Sequence, residues 1–224
     1  MKEAILIVAA HPDDEVLGCG GSAARWSSEG HAVHALLLAD GVASRDGYTE
    51  AALVNRIAAA NEASRLLGLS SMQMERLPDN RLDTLPLLHI VKLIEAAITK
   101  HSPARVLTHH AGDVNVDHRI IHDAVLAACR PQPGFPVKEL LFFEVASSTE
   151  WRPPVSRMPF APSVFVDISA TLATKLAALK AYEEELRAFP HPRSLEAVKA
   201  LAQWRGASAG LHAAEAFELG RLIL

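Results

Sequence analysis

Residues 10–15, Ala-His-Pro-Asp-Asp-Glu, place a histidine and three consecutive acids directly after the apolar run Ala4–Ala9. Three carboxylates held this close repel one another, and some would stay protonated unless a cation lay among them. A divalent metal ion supplies such a cation. The spacing of His11 and Asp14 puts both side chains on one face of a single helical turn, as two ligands of one ion require.

A second polar cluster, residues 108–118, contains three histidines and two aspartates within eleven residues. His118 could supply a third ligand from this cluster. Two imidazoles and one carboxylate leave a fourth tetrahedral position open, which is the pattern of catalytic zinc. Such an ion lowers the pKa of bound water to about 7 and polarises a carbonyl. Asp13 would remain free to take a proton, and together these features favour hydrolysis of an amide. The same ligand set also serves Fe²⁺, so Zn²⁺ is the first choice and Fe²⁺ an alternative.

The elements that must position these residues alternate between strand-like and helix-like segments. Strands are predicted at Ile5–Ala9, His31–Leu38, Met72–Arg76, Arg105–Thr108, Leu140–Val145 and Ser163–Ile168. Helices are predicted at Ser22–Glu29, Thr49–Leu67, Pro86–Lys100, His118–Cys129, Leu172–Arg187, Ser194–Trp204 and Ala213–Leu224. This order predicts a Rossmann-like α/β fold, a mostly parallel sheet with helices on both faces. Ligands of such folds bind at the carboxyl ends of the strands, where both polar clusters lie.

Length and composition narrow the class of protein. Residues 1–224 suit a single domain, with the Pro-rich stretch Trp151–Pro162 as a surface loop inside it. The net charge of −4 gives no electrostatic case for nucleic acid binding. The sequence contains no run of 18 apolar residues, so no membrane span is expected. A signal peptide is likewise not expected before the first strand. Two distant cysteines suit a reducing compartment, so a cytoplasmic location is expected.

Two other interpretations of the motifs compete with the metal site. Acids at residues 13 and 14 could simply cap a helix N-terminus, but capping does not require the Asp-His pair at residues 117 and 118 as well. Gly18–Ala23 fits G-x-G-x-x-A, and Asp40 follows about twenty residues later, as in a dinucleotide-binding module. However, residues 11–17 separate these glycines from the first strand and put three acids where a pyrophosphate would bind.

Together the motifs resemble those of the PIG-L/LmbE family of zinc-dependent N-deacetylases. Ala10–Glu15 resembles the first family motif, and Asp117-His118 resembles the end of the second. Arg56 is similar to the family's substrate-binding arginine, with weaker similarities at Asp40-Gly41 and at His191–Ser194. The resemblance implies a Rossmann-like fold and removal of acetyl from N-acetylglucosamine units on lipids, thiol precursors or other sugar conjugates.

The roles of site residues follow from the resemblance by position. His11, Asp14 and His118 would bind zinc, and Asp13 would be the general base. Asp117 is expected to orient a neighbouring group, as metal sites commonly need. Asn115 is a departure, because many members have a histidine there that assists the oxyanion or protonates the leaving amine. An amide can donate a hydrogen bond to an oxyanion but cannot supply a proton at neutral pH.

The general acid is therefore left open between Asp13, His110 and Asp113. Substrate contacts are expected from Arg56, His110, Asp113, Trp151, His191 and Arg193. Arg56 could bind a sugar hydroxyl or a phosphate, although Ala59 stands where the family often has a glutamate. Trp151 could stack on a sugar face, and His191 and Arg193 could meet a phosphate or a neighbouring sugar. Hydrolysis of another small-molecule amide is the alternative reaction, and a homo-oligomer is compatible with the family.

Overall fold

Strands and helices alternate as expected in the computed structural model, which describes residues 2–44, 47–153 and 159–224. The strands are β1 (Ala4–Ala9), β2 (Ala32–Ala39), β3 (Ser71–Leu77), β4 (Arg105–His109), β5 (Glu139–Phe143), β6 (Val164–Asp167) and β7 (Ala214–Leu222). The helices are α1 (Asp14–Ser28), α2 (Glu50–Leu67), α3 (Leu87–His101), α4 (Val116–Ala128), α5 (Leu172–Ala181) and α6 (Leu195–Ser208). Short 3-10 helices cover Leu82–Thr84 and Glu183–Glu185. Among the described residues, no helix combines the length and the apolar character needed to cross a bilayer.

One seven-stranded sheet has the order β3-β2-β1-β4-β5-β7-β6. Strands β3, β2, β1, β4 and β5 are parallel, whereas β7 runs antiparallel to both of its neighbours. This confirms the predicted α/β fold class with a mostly parallel sheet. Because β1 and β4 are adjacent and parallel, the polar residues that follow each of them meet at one edge.

Two hydrophobic layers sandwich the sheet, and the alternation of β1 shows why. Ile5, Ile7 and Ala9 belong to one core with residues of α1, α2 and α5. Leu6 and Val8 face the other core, which includes residues of α3 and α4. Each face of β1 is therefore covered, so the strand is apolar throughout and its ends are held rigidly.

The predicted C-terminal helix Ala213–Leu224 is wrong, because this segment forms β7. Alanine, glutamate and leucine favour a helix locally, but hydrogen bonding to β5 on one side and β6 on the other overrides that preference. Helix α1 begins at Asp14, eight residues before the predicted start at Ser22, and α5 stops at Ala181. Of the predicted loop 151–162, residues 154–158 lie outside the described residues.

Helix α1 is broken at Cys19, whose φ and ψ of −148° and 21° are not helical. A buried ion pair spans this break. The Lys175 ammonium donates to the Leu17 carbonyl at 2.8 Å and lies 2.5 Å from a Glu215 carboxylate oxygen. Glu215 in turn accepts from the backbone amides of residues 21 and 22, at 2.9 and 2.7 Å. The pair thus satisfies backbone groups on both sides of the break.

Candidate metal centre and active site

The β1–α1 loop positions His11 and Asp14. Asp14 opens α1, and its Oδ2 accepts from the His11 backbone amide at 2.9 Å. The same oxygen lies 3.2 Å from His11 Nδ1 and 3.2 Å from His118 Nε2. One ligand atom from each of these three residues lies within 4.8 Å of the other two. The structure therefore brings the three predicted metal ligands together.

The β4–α4 loop delivers His118 from the first turn of α4. The Asn115 side chain caps this helix by accepting from the Asp117 amide at 2.8 Å. Asp113 Oδ2 lies 3.1 Å from His118 Nδ1 and fixes the ring, so that Nε2 faces Asp14. A carboxylate behind a metal-binding imidazole selects the tautomer that leaves the other nitrogen free for the ion.

The ligand set fits a divalent cation. Within the part of the chain that the structure describes, Asp14 Oδ1 and His118 Nε2 are buried polar atoms without a hydrogen-bond partner. Buried polar groups are nearly always satisfied, so such atoms point to a missing ligand. Two imidazoles and one carboxylate match the donors of three-ligand catalytic zinc sites.

Two further carboxylates orient His11 from its other side. Asp117 Oδ2 lies 3.1 Å from His11 Nε2, and Asp79 Oδ1 lies 3.2 Å from the same nitrogen. Asp117 also accepts from the backbone amides of Asn80 and Leu82. Asp79 was missed by the sequence reasoning. The sequence feature that could have indicated Asp79 is its position just after β3, at the same sheet edge as the other two clusters.

Electrostatics of the cluster favour positive charge between the imidazoles. Burial disfavours charge on His118, yet Asp14 and Asp113 raise its pKa to about 9. Burial likewise opposes charge on His11, but hydrogen bonds to acidic groups, Asp117 foremost, raise its pKa well above the usual value. For Asp14 the burial effect is outweighed by both histidines, and its pKa lies well below its usual value. The acidic groups that raise the pKa values of these imidazoles would also stabilise a bound cation.

Asp13 lies beside the ligands with its side chain 4% exposed. Its φ of 123° is in the left-handed half of the Ramachandran plot, a strained conformation for an aspartate that functional sites often retain. Glu15 holds it by accepting from the Asp13 amide at 3.0 Å, while Tyr182 donates to Glu15 at 2.6 Å. Burial raises the pKa of Asp13 to about 6, and the positive charge of Arg193 opposes this rise.

Arg56 and Arg193 line the same pocket as Asp13, a polar depression of about 110 Å³ that His11 also lines. Arg56 donates to the Pro12 carbonyl at 3.1 Å and pairs with Glu185. Arg193 lies 3.0 Å from an Asp13 oxygen and 3.5 Å from Glu185. Glu185 is thus a partner of Arg56, and local spacing around Ala59 could not reveal it because 129 residues separate the pair. Asn115 and Asn80 also line this pocket.

Other predicted substrate residues lie elsewhere. Asp113 faces His118 and accepts from two hydroxyls, those of Ser148 and Thr149, so its carboxylate is turned away from the pocket. His110 Nδ1 lies 2.6 Å from a Glu218 oxygen, and its ring is edge-on to Phe160 in a separate depression.

Its neighbour His109 was not predicted as a site residue. It accepts from the Ala10 amide at 2.8 Å and stacks on His118 at 3.9 Å. It therefore supports the positions of the two loops that carry the candidate ligands.

Two predicted residues lie on the loops that meet above Arg193. Trp151 is 53% exposed, and its ring is edge-on to that of His191, with centroids 5.8 Å apart. Arg193 joins these loops by donating to Ser147 Oγ at 2.7 Å. An exposed tryptophan beside a polar pocket is suited to contact a second part of a ligand.

The dinucleotide alternative does not fit this geometry. The Glu215 carboxylate occupies the backbone amides of Gly21 and Ser22, where the motif would bind a pyrophosphate. Like charges would exclude that ligand.

Comparison with known proteins agrees with the geometry. The PIG-L family, described as GlcNAc-PI de-N-acetylase, matches residues 6–129. A protein of Escherichia coli K12 named uncharacterized deacetylase YaiS is 30% identical over 188 residues, which cover 81% of this chain and 91% of the relative. The conserved protein TT1542 from Thermus thermophilus is 30% identical with a TM-score of 0.78, covering 100% of this chain and 97% of its own.

More distant structures share the fold. N,N'-diacetylchitobiose deacetylase from Pyrococcus horikoshii is 19% identical with a TM-score of 0.77, covering 98% of this chain and 84% of its own. The hydratase GalB from Pseudomonas putida KT2440 is 21% identical with a TM-score of 0.76, covering 100% of this chain and 98% of its own. Fold alone does not determine a reaction. The family assignment therefore depends on the family match and on the E. coli relative that is 30% identical. The match to residues 6–129 covers more than half of the sequence, and the chain belongs to the PIG-L family of deacetylases.

Proposed function

We propose that this protein is a metal-dependent deacetylase that hydrolyses the acetamide of an N-acetyl amino sugar or sugar conjugate. The observation that carries the proposal is the convergence of His11, Asp14 and His118, with Asp13 beside them in a polar pocket. A divalent ion held by these three residues, Zn²⁺ first and Fe²⁺ as an alternative, would polarise the acetamide carbonyl and acidify water.

The remaining chemistry is assigned to the chain's own side chains. Asp13 accepts a proton from the attacking water, and the resulting hydroxide adds to the carbonyl carbon. Asn115, at the pocket wall, donates from its amide to the oxyanion. Asp117 holds the His11 ring from behind. The C–N bond breaks once the nitrogen has taken a proton, which releases acetate and a free amine.

Asp13 is also our candidate for the proton donor. His110 is bonded to Glu218, and Asp113 faces His118, so neither lines the pocket. Asn115 cannot supply a proton at neutral pH. Asp13 would return to the leaving nitrogen the proton that it took from water, which its pKa of about 6 permits near neutrality.

Substrate contacts are proposed for Arg56 and Arg193, which line the pocket, and for Trp151 and His191, whose rings meet on the two loops that Arg193 joins. The guanidinium groups would hold sugar hydroxyls, and the indole would stack on a neighbouring ring. We also propose that residues 1–224 form one domain, since β7 lies between β5 and β6 in a single sheet. The cytoplasmic location and the homo-oligomer stay predictions.

Acetate release tests the function directly. The Zn²⁺-loaded protein is incubated with N-acetylglucosamine, N,N'-diacetylchitobiose and, as a non-sugar amide, N-acetylglycine, and free acetate is quantified. We expect turnover of the sugars and not of N-acetylglycine. Asp13→Asn should lower turnover by roughly 10²-fold or more, whereas Asp123→Asn, at an exposed acid of α4, should not.

Metal analysis gives an independent measure. We expect one bound divalent ion per chain by elemental analysis and its loss in His118→Ala. Full turnover by Asp13→Asn, or by protein stripped of all metal, would contradict the proposal. Preferential hydrolysis of the non-sugar amide would favour the alternative reaction.

A further inference from the structure

We propose that the pocket selects an electrically neutral saccharide and discriminates against substrates with a phosphate or another anion on the acetamido sugar. This inference rests on the proposed function and narrows its substrate class. It decides between two roles that the sequence left open for the arginines, contact with a hydroxyl or contact with a phosphate.

Both guanidinium groups of the pocket already have carboxylate partners. Arg56 is buried and is bonded to Glu185 and to the Pro12 carbonyl. Arg193 lies 3.0 Å from Asp13 and 3.5 Å from Glu185. The two carboxylates are only 4% and 6% exposed, so they cannot turn into solvent to make room for an incoming anion. A phosphate would therefore meet paired arginines and buried negative charge.

The pocket lining also contains groups that suit hydroxyls. Ser44, Asn80 and Asn115 contribute a hydroxyl and two amides, and Asp79 contributes a carboxylate. Amides and hydroxyls both donate and accept hydrogen bonds, and a carboxylate accepts only. These groups are hydrogen-bonded to one another, with Ser44 and Asn80 donating to Asp79 and Asn115 donating to Asn80. Sugar hydroxyls both donate and accept and so can join this network, whereas a phosphate dianion cannot accept a bond from Asp79.

The charge balance of the whole site points the same way. The carboxylates that line the pocket, bind the ion or bond to its ligands are Asp13, Asp14, Asp79, Asp113, Asp117 and Glu185. Against these six negative charges stand two guanidinium groups and, when bound, one dication. With neutral imidazoles, two negative charges remain in excess. One uncompensated unit charge about 8 Å away, at an effective dielectric of about 20, corresponds to roughly 30-fold in affinity.

Matched substrate pairs test the inference. The first pair is N-acetylglucosamine and its 6-phosphate, with a neutral 6-O-methyl ether to separate charge from bulk. The second pair is the methyl glycoside and the 1-phosphate. We measure kcat/KM for acetate release by the Zn²⁺-loaded protein and, separately, binding of each compound to the metal-free protein by titration calorimetry. We expect the anionic members to be at least about tenfold poorer in both measurements.

A variant pair links the effect to the named charges. Glu185→Gln removes one buried negative charge beside both arginines, so the preference for neutral compounds should fall several-fold. Glu184→Gln, the same change at the exposed neighbouring residue, should leave the preference unchanged. If Glu185→Gln does not fold, the wild-type comparison still decides the question.

The outcomes separate this inference from the proposed function. Equal or better turnover of the phosphates overturns the inference and leaves the deacetylase assignment intact. Preferential binding of neutral sugars without any acetate release supports the inference and contradicts the proposed function. Failure of every compound both to bind and to react contradicts both.

Discussion

Breaking the buried ion pair between Lys175 and Glu215 should destabilise the protein far more than breaking an exposed one. Both side chains are 4% exposed, and their charged atoms lie 2.5 Å apart. Removing one partner leaves the other charge buried without compensation, which costs about 3–5 kcal/mol. For a chain of this length, that loss lowers Tm by roughly 6–20 °C.

The two single variants should differ in their free energy of unfolding, because the charged group that remains has different contacts in each. After Lys175→Met, Glu215 still accepts from two backbone amides just after the break in α1, where a new helical segment begins, and this partly compensates its charge. After Glu215→Gln, Lys175 keeps its bond to the Leu17 carbonyl and loses its counter-ion. We therefore expect Lys175→Met to lower the free energy of unfolding by about 3 kcal/mol and Glu215→Gln to lower it by about 5 kcal/mol.

Urea unfolding followed by circular dichroism, at fixed metal content, measures these free energies. The double variant should cost less than the sum of the single variants by about 1–3 kcal/mol, since the pair is coupled. Lys92→Met breaks an exposed pair with Glu95, at 66% and 31% exposure, and should cost no more than about 1 kcal/mol. If Lys175→Met lowers the free energy of unfolding no more than Lys92→Met does, the buried pair does not stabilise α1.

Three other predictions concern the site. Asp113→Asn should weaken Zn²⁺ binding about 10- to 100-fold in a chelator competition, because His118 loses its orienting carboxylate; unchanged affinity would exclude this role. Arg193→Leu should move the acidic limb of the kcat/KM profile upward by roughly one pH unit. Asp13, the proposed base, must be deprotonated to act, and loss of the neighbouring cation raises its pKa from about 6. Arg193→Lys keeps the charge and should move the acidic limb less. A downward move of the limb in Arg193→Leu would refute the assignment. Gly18→Ala should lower the free energy of unfolding by about 1–3 kcal/mol, since the added Cβ would overlap the ring of Phe143 on β5. In a Phe143→Leu background the same substitution should cost less. Equal costs in both backgrounds would contradict the clash.

The convergence of the three candidate metal ligands could be predicted from the sequence because it depends on few facts. His11 and Asp14 follow a fully apolar strand, and His118 opens a helix after another strand. Parallel strands present their carboxyl ends at one edge, so adjacency of β1 and β4 was sufficient to bring the clusters together. Asp79 obeys the same rule but was not recognised, because a lone acid after a short strand is a weak signal.

The residues that complete the pocket could not be predicted in the same way. Glu185 meets Arg56 across 129 positions, and no local periodicity encodes such a pairing. The β7 segment is Ala-rich and has the composition of a helix, and only its two neighbouring strands decide its conformation. Likewise, Glu215 satisfies α1 amides almost two hundred positions away. In each case, long-range contacts outweigh local preference.

The pocket combines residues from the first 115 positions with two residues from the later part of the chain, and only these two lie far from the proposed chemistry in sequence. The proposed ion-binding and proton-transferring groups all precede residue 130, as does Arg56, whereas Trp151, Glu185 and Arg193 come later. Relatives could thus diverge in the molecules they accept while the hydrolytic centre stays constant. A chimera that exchanges residues 164–222 as one block, keeping β6 and β7 together, would transfer the part of the selectivity that depends on Glu185 and Arg193. The Lys175 and Glu215 pair would travel intact in that block, and at the break in α1 it would need only backbone groups from the recipient.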